Sequence, residues 1–176
     1  MCVMNRVRST FAELFLTDLY NKQGIDIHVS SAGYIPRLLI DRLTEANIPF
    51  PSPLYGRFMS EVTYNFLVEK GIRVPAGWRS KELSLEMIHK ASLVVTALHL
   101  QKADLCSRYE DEHHKIFSIR ELSQAKQPLF FEDFSKVPMD ADFWHHCEED
   151  PEYVTKVLKT WEQSLITALP SITKQL

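Results

Sequence analysis

What the 176-residue chain lacks bounds it before anything it contains. No apolar run approaches a membrane span, and no basic-then-apolar leader follows Met1, so neither a spanning segment nor a secretory signal is expected. No basic block occurs and the formal charge is −3, which argues against a nucleic-acid partner. Cysteine is scarce: Cys2, Cys106 and Cys147 are widely spaced and odd in number, a poor basis for a disulfide framework. Metal-ligand spacing is missing too. In His145-His146-Cys147 adjacent side chains point apart, with no second cluster near in sequence, so no metal is expected. The remainder, 45% hydrophobic and 24% charged, is ordinary for a globular protein. These bounds predict a single α/β domain over 1–176, cytoplasmic and soluble, large enough for a core without disulfide or metal.

What is present concentrates at the start. Cys2-Val3-Met4-Asn5-Arg6-Val7-Arg8-Ser9 puts a thiol, a run of backbone N–H groups and a guanidinium around one small volume, followed at once by a helix. A loop running into a helix N-terminus aims unpaired amides and the positive end of the dipole at that volume. The same field favours the Cys2 thiolate, which is the nucleophilic form. Arg8 offers a planar fork that matches two phosphoryl oxygens.

Periodicity fills in the rest. Phe11, Leu14, Phe15 and Leu19 form one face of a helix from about Thr10 to Tyr20, with Leu16 off the stripe and Thr10–Glu13 or Ser9 as its cap. Ile25 to Ser30 alternates as a strand, on whose face His28 has no chemical role. Helical spacing follows at 37–46, 60–70 and 84–89, the last capped by Ser84. Ala91 to Leu98 is a near-continuous apolar run, the pattern of a strand buried on both faces of a parallel sheet. A helix is predicted over 99–108, with Cys106 a small packed residue on it, and a last strand over 115–119 leads to a short helix near Glu121. No periodicity is clear from Pro128 to Pro138. Asp150 and Pro151 mark the start of a final helix whose stripe, Tyr153, Val157, Leu158, Trp161, Leu165 and Leu169, is core packing. Strands separated by helices predict a parallel sheet with helices on both faces.

The pattern C-x-x-N-x-x-R-S followed by x-x-A-E resembles the active-site loop of the low-molecular-weight protein tyrosine phosphatases, a fold shared with arsenate reductases. Ser31-Ala32-Gly33 resembles the family's S-A-G element. Trp78 to Leu83 resembles its H-x-S-R-x-L stretch, with Trp78 for the histidine that braces the loop asparagine and Lys81 for the arginine. Ala91 to Leu98 resembles its third strand, with Ser92 in place of an aspartate. The resemblance implies a three-layer fold, a four-stranded parallel sheet flanked by helices, with no cofactor. It also makes 34–55 an inserted segment bordering the substrate, with Tyr34 and Tyr55 as candidate pocket walls.

The chemistry implied is hydrolysis of phosphotyrosine or aryl phosphate esters through a cysteinyl-phosphate, with a phosphotyrosine protein or small aryl phosphate as substrate. Cys2 is the nucleophile and Arg8 its partner. Val3, Met4, Asn5, Arg6, Val7 and Ser9 form the phosphate-binding loop, with the Ser9 hydroxyl also donating to the Cys2 sulfur. The family's general acid lies in an Asp-Pro-aromatic motif before the last helix. Here Asp140 and Asp142 are the candidates and Asp133 a third, with no proline after either of the first two. Two loop departures stand out: Met4 replaces a glycine, the residue that takes positive φ most freely, and Val7 replaces a second cysteine. Only Met1 precedes Cys2, whereas the family's loop follows a central strand, so that strand is expected to be missing from this sequence. Two alternatives remain beside the phosphatase: an impaired phosphate- or phosphotyrosine-binding module, and an arsenate reductase, against which the cysteine positions argue.

Overall fold

The computed structural model describes residues 1–132, 137 and 139–176. The segment from Cys2 to Val7 runs straight into helix α1 (Arg8–Gln23), which ends where Gly24 takes a left-handed φ of 68°. Then come α2 (Arg37–Glu45), α3 (Glu61–Glu69), α4 (Leu85–Lys90), strand β1 (Val94–Thr96) and α5 (His99–Arg108). A 3-10 turn at Glu110–Lys115 leads to β2 (Ile116–Ser118), α6 (Ile119–Leu122), α7 (Phe143–Glu148) and the long α8 (Pro151–Gln175).

Local chemistry accounts for most of these boundaries. Ser60, Ser84 and Asp150 each accept a backbone N–H from the first turn of α3, α4 and α8. Ser118 and Glu121 form a reciprocal capping box on α6. The cap expected on α1 differs. Its N-cap is Val7, without a side-chain hydrogen bond, because Thr10 donates to the Asn5 carbonyl and Glu13 accepts from Ser31. Leu16 also departs from expectation: it is buried, since α1 is covered on more than one side and not along a single stripe.

β1 and β2 pair in parallel, Val94 opposite Ile116 and Thr96 opposite Ser118, with α5 as the crossover. Single parallel bridges join Cys2 to Gly33 and Gly33 to Glu82. The fold is thus α/β with a small parallel sheet among the described residues. The alternation over Ile25–Ser30 shows in burial, Ile27 and Val29 half-buried between exposed neighbours, but no strand ladder forms there. Backbone pairing reaches only the end of this region, where Cys2 N–H donates to Ala32 O at 3.3 Å. The core lies against α8, whose Val154, Val157, Leu158, Trp161, Leu165, Ala168 and Ile172 are buried, with Trp161 meeting Phe131 edge-on at 5.2 Å between ring centres.

Candidate active site

Backbone bonds on both sides fix Cys2. Its N–H donates to Ala32 O at 3.3 Å and its carbonyl accepts from Tyr34 N–H at 2.9 Å. Between those two residues Gly33 lies so close to the loop that a Cβ there would stand 2.7 Å from Val3 O and 2.4 Å from Tyr55 Cε1. The S-A-G glycine is therefore required by close backbone approach.

Asn5 shapes the loop. It carries the positive φ, 54°, and is fully buried. Met4 is not among the residues with positive φ, so its replacement of glycine leaves no left-handed strain at that position. The Asn5 Nδ2 donates to Ser9 Oγ at 3.0 Å and to Ser31 Oγ at 2.7 Å. Its Oδ1 accepts from Lys81 N–H at 2.8 Å, and its carbonyl from Thr10 Oγ1 at 2.9 Å. The brace on Asn5 is thus made by two serines and a backbone amide, with no histidine at position 78.

The loop, α1, α2, α7 and α8 border a cavity of about 40 Å³. Cys2, Val3, Met4, Arg6, Val7 and Arg8 line it from the loop, together with Leu39, Phe131, Phe143, Trp144, Cys147, Glu148, Tyr153 and Val157. Cys2 Sγ lies 3.0 Å from Ser9 Oγ. Burial alone would push this thiol up, but the Arg8 guanidinium and the Ser9 contacts prevail and leave it below its ordinary value. Arg8 also lines the cavity, held by a 3.3 Å bond from Nη1 to Phe131 O and by stacking 5.4 Å from that ring's centre. The structure therefore brings Cys2, Arg8 and Ser9 together as the sequence implies.

Other expected residues are placed differently. Arg6 lines the cavity, but its guanidinium is engaged by protein: Nε donates to Phe58 O at 2.6 Å, Nη1 to Glu148, and Nη2 to Glu149 at 2.7 Å. Asp140 and Asp142 are exposed on the turn before α7 and do not line the cavity. Asp142 N–H donates to Asp140 Oδ1 at 2.9 Å, and that oxygen lies 3.6 Å from His146 Nε2. Asp133 falls outside the described residues. Of the inserted segment, Leu39 reaches the cavity, and Pro49 O holds the Trp144 indole N–H at 2.8 Å. The tyrosines do not: Tyr34 bonds Asp104, and Tyr55 Oη lies 3.3 Å from Val3 O.

Sequence reasoning missed Cys147 and Glu148, and took Tyr153 for core alone. The signal for the first two was the i, i+4 pairing of Phe143 with Cys147 and Trp144 with Glu148, which sets both on the side of α7 that those aromatics bury. Burial pushes the Cys147 thiol up to about 12, so this second sulfur stays protonated.

No family model and no curated protein matches the sequence. Solved structures do. The chain is similar to the low-molecular-weight protein tyrosine phosphatase of T. tengcongensis (24% identity, 98% of this chain and 95% of that one, TM-score 0.66). It is also similar to a protein tyrosine phosphatase of Entamoeba histolytica (13% identity, 98% and 94%, TM-score 0.67) and to the YwlE arginine phosphatase of Geobacillus stearothermophilus (22% identity, 99% and 91%, TM-score 0.60). Over nearly its whole length, then, this chain has the fold of the low-molecular-weight protein tyrosine phosphatases.

Proposed function

We propose that the protein is a cysteine-dependent phosphatase that hydrolyses phosphotyrosine in proteins, or small aryl phosphates, through a cysteinyl-phosphate. The observation that carries this reading is the Cys2 thiol, 3.0 Å from Ser9 Oγ, sharing a cavity with Arg8 and held below its ordinary pKa by both. The names of the structural neighbours, tyrosine and arginine phosphatases, support it.

Cys2 attacks phosphorus in line as the ester bond breaks, and the loop N–H groups with Arg8 stabilise the equatorial oxygens. Val3, Met4, Asn5, Val7 and Ser9 shape that cradle; Arg6 supports it from beneath through Glu148 and Glu149. A carboxyl group must protonate the leaving oxygen and later take a proton from water. Asp140 and Asp142 would have to swing inward to serve. An aryl ring bound to a phosphate over Cys2 would meet Leu39 and Trp144, which line the same cavity. Residues 34–55 thus act as an inserted specificity segment on a single domain, framed by a four-stranded sheet of which β1, β2 and the Cys2–Gly33–Glu82 bridges are the visible support. The cytoplasm, where a free thiolate stays reduced, suits this chemistry.

The alternative of an impaired phosphate-binding module draws on the outlying aspartates, neither followed by proline. Arsenate reduction gains Cys147 as a second thiol in the cavity, yet that thiol is held protonated. Assay with p-nitrophenyl phosphate separates them. Turnover that falls by at least about 10³-fold in Cys2→Ser is expected. Binding of inorganic phosphate without turnover would establish the module, and thiol-dependent arsenite release the reductase.

A further inference from the structure

A trans peptide is planar, with its C=O and the following N–H pointing in opposite directions. Where a loop carbonyl is held outward, the next amide therefore faces inward. Four loop carbonyls are held in this way. Asn5 O accepts from Thr10 Oγ1 at 2.9 Å, Arg6 O from Ser60 N–H at 3.1 Å and Val7 O from Phe11 N–H at 3.0 Å. Val3 O accepts from the Tyr55 hydroxyl at 3.3 Å and has no other donor among the described residues. The amides opposite these carbonyls belong to Met4, Arg6, Val7 and Arg8, all of which line the cavity with Cys2. Among the described residues none of those four N–H groups has an acceptor. Tyr55 is half-buried, and the missing side chain of Gly33 lets its ring and the Val3 carbonyl approach. Burial raises its hydroxyl above the ordinary value, with Glu82 and Cys2 adding to the rise, so the hydroxyl stays protonated and donates.

We propose that Tyr55 is a positioning residue for phosphoryl transfer: by holding the Val3 carbonyl outward it aims the Met4 N–H at the phosphoryl oxygens over Cys2. The inference rests on the phosphatase reading and gives the inserted segment a task within it. The other three outward bonds come from α1 and from the backbone at Ser60, so they form with the fold itself. The Val3–Met4 peptide depends instead on one side-chain hydroxyl from residues 34–55. An amide fixed before the reaction stabilises charge on the equatorial oxygens without reorganising, and that advantage is realised chiefly in the transition state. Without the hydroxyl the peptide plane is free to rock, and the Met4 N–H loses its aim while the thiol and Arg8 keep theirs.

The competing role is packing alone, the ring filling the space beside Gly33. Tyr55→Phe separates the two, because it keeps the ring and removes only the donor. Deleting an oxyanion donor outright costs about 10²–10³ in kcat, so loosening one should cost part of that, about 10-fold. With p-nitrophenyl phosphate, Tyr55→Phe should therefore lower kcat about 10-fold and leave KM nearly unchanged. Inhibition by orthovanadate, which takes up the five-coordinate geometry, should weaken by a similar factor. The pH midpoint of Cys2 alkylation should not move. A kcat and a vanadate affinity within about twofold of the unaltered protein overturn the proposal. So does a kcat loss matched by a delayed Cys2 alkylation, since the hydroxyl then acts on the thiol. The unaltered protein supplies a test that needs no variant to fold. On titration with inorganic phosphate the Met4 amide proton should shift downfield in ¹H–¹⁵N NMR spectra, and a Met4 amide that stays in place refutes the assignment. That measurement requires no turnover, so failure of the phosphatase reading shows separately, as turnover that persists in Cys2→Ser.

Discussion

Three thiols in this chain differ only in surroundings, and those surroundings order their reactivity. Cys2 is lowered because Arg8 and Ser9 outweigh burial. Cys106 and Cys147 are raised, both chiefly by burial. Since the thiolate reacts, alkylation should rise with pH through an earlier midpoint at Cys2 than at either of the others. Iodoacetate labelling followed by peptide mass spectrometry, from about pH 5 to about pH 10 so as to bracket ordinary thiol titration, checks the order. Replacing Arg8 with Ala should move the Cys2 midpoint upward while leaving that of Cys106, to which Arg8 contributes nothing, in place. A Cys2 midpoint at or above that of Cys147 would contradict the electrostatics of the loop. The same residue scale explains what was legible here. Cys2 and Arg8 lie six positions apart on a loop that runs into a helix start, so their meeting was legible locally, while the Ser9 contact with Cys2 came from the family resemblance. The Asn5 brace was not legible, because Ser31 and Lys81 reach it only through the tertiary fold.

Elements announced themselves in proportion to how local their causes are. α5 runs over His99–Arg108 as its spacing predicts, and α3, α4 and α8 start at side-chain caps visible in the sequence. α7 is different. Its six residues give too few turns for periodicity to register, and its anchors lie far away, Pro49 O on Trp144 and Arg6 on Glu148. The segment therefore reads as loop until the inserted proline stretch is folded against it. Asp150, which ends that segment, acts locally and separably, its Oδ1 accepting from Tyr153 N–H at 2.8 Å. Asp150→Ala should cost about 1 kcal/mol of unfolding free energy, measured by urea denaturation, through loss of the α8 cap. Cys2 labelling at neutral pH should be little changed by it. A loss well above about 2 kcal/mol, the upper end for a cap alone, would mean that Asp150 also holds α7 in position.

At the scale of the whole molecule, the sheet is where sequence pattern and structure part. Alternation over Ile25–Ser30 and the apolar run over Ala91–Leu98 each describe a strand with neighbours, and pairing is a property of the neighbours. β1 has a partner on one side only for most of its length. Val95 O accepts from the Met1 amino group and Ala97 N–H donates to Met1 O at 2.8 Å. By the alternation of strand backbone, Val95 therefore faces Met1 while Val94 and Thr96 face β2. Below Met1 the space between this edge and residues 26–32 opens into a groove of about 680 Å³, lined by Leu16, Tyr20, Val29, Leu93, Trp161 and Leu165 among others. Backbone amides on that edge should open readily, while those on the β2 side share the stability of the core. Hydrogen exchange resolved to single amides should show Val94 and Thr96 protected, and Leu93, Val29 and Ser30 exchanging at least about 10²-fold faster, a difference of roughly 2.7 kcal/mol in opening free energy. Uniform protection across both edges would mean that the groove closes in solution, and α1 and α8, which form its floor, would then have to sit closer to β1 than they do here.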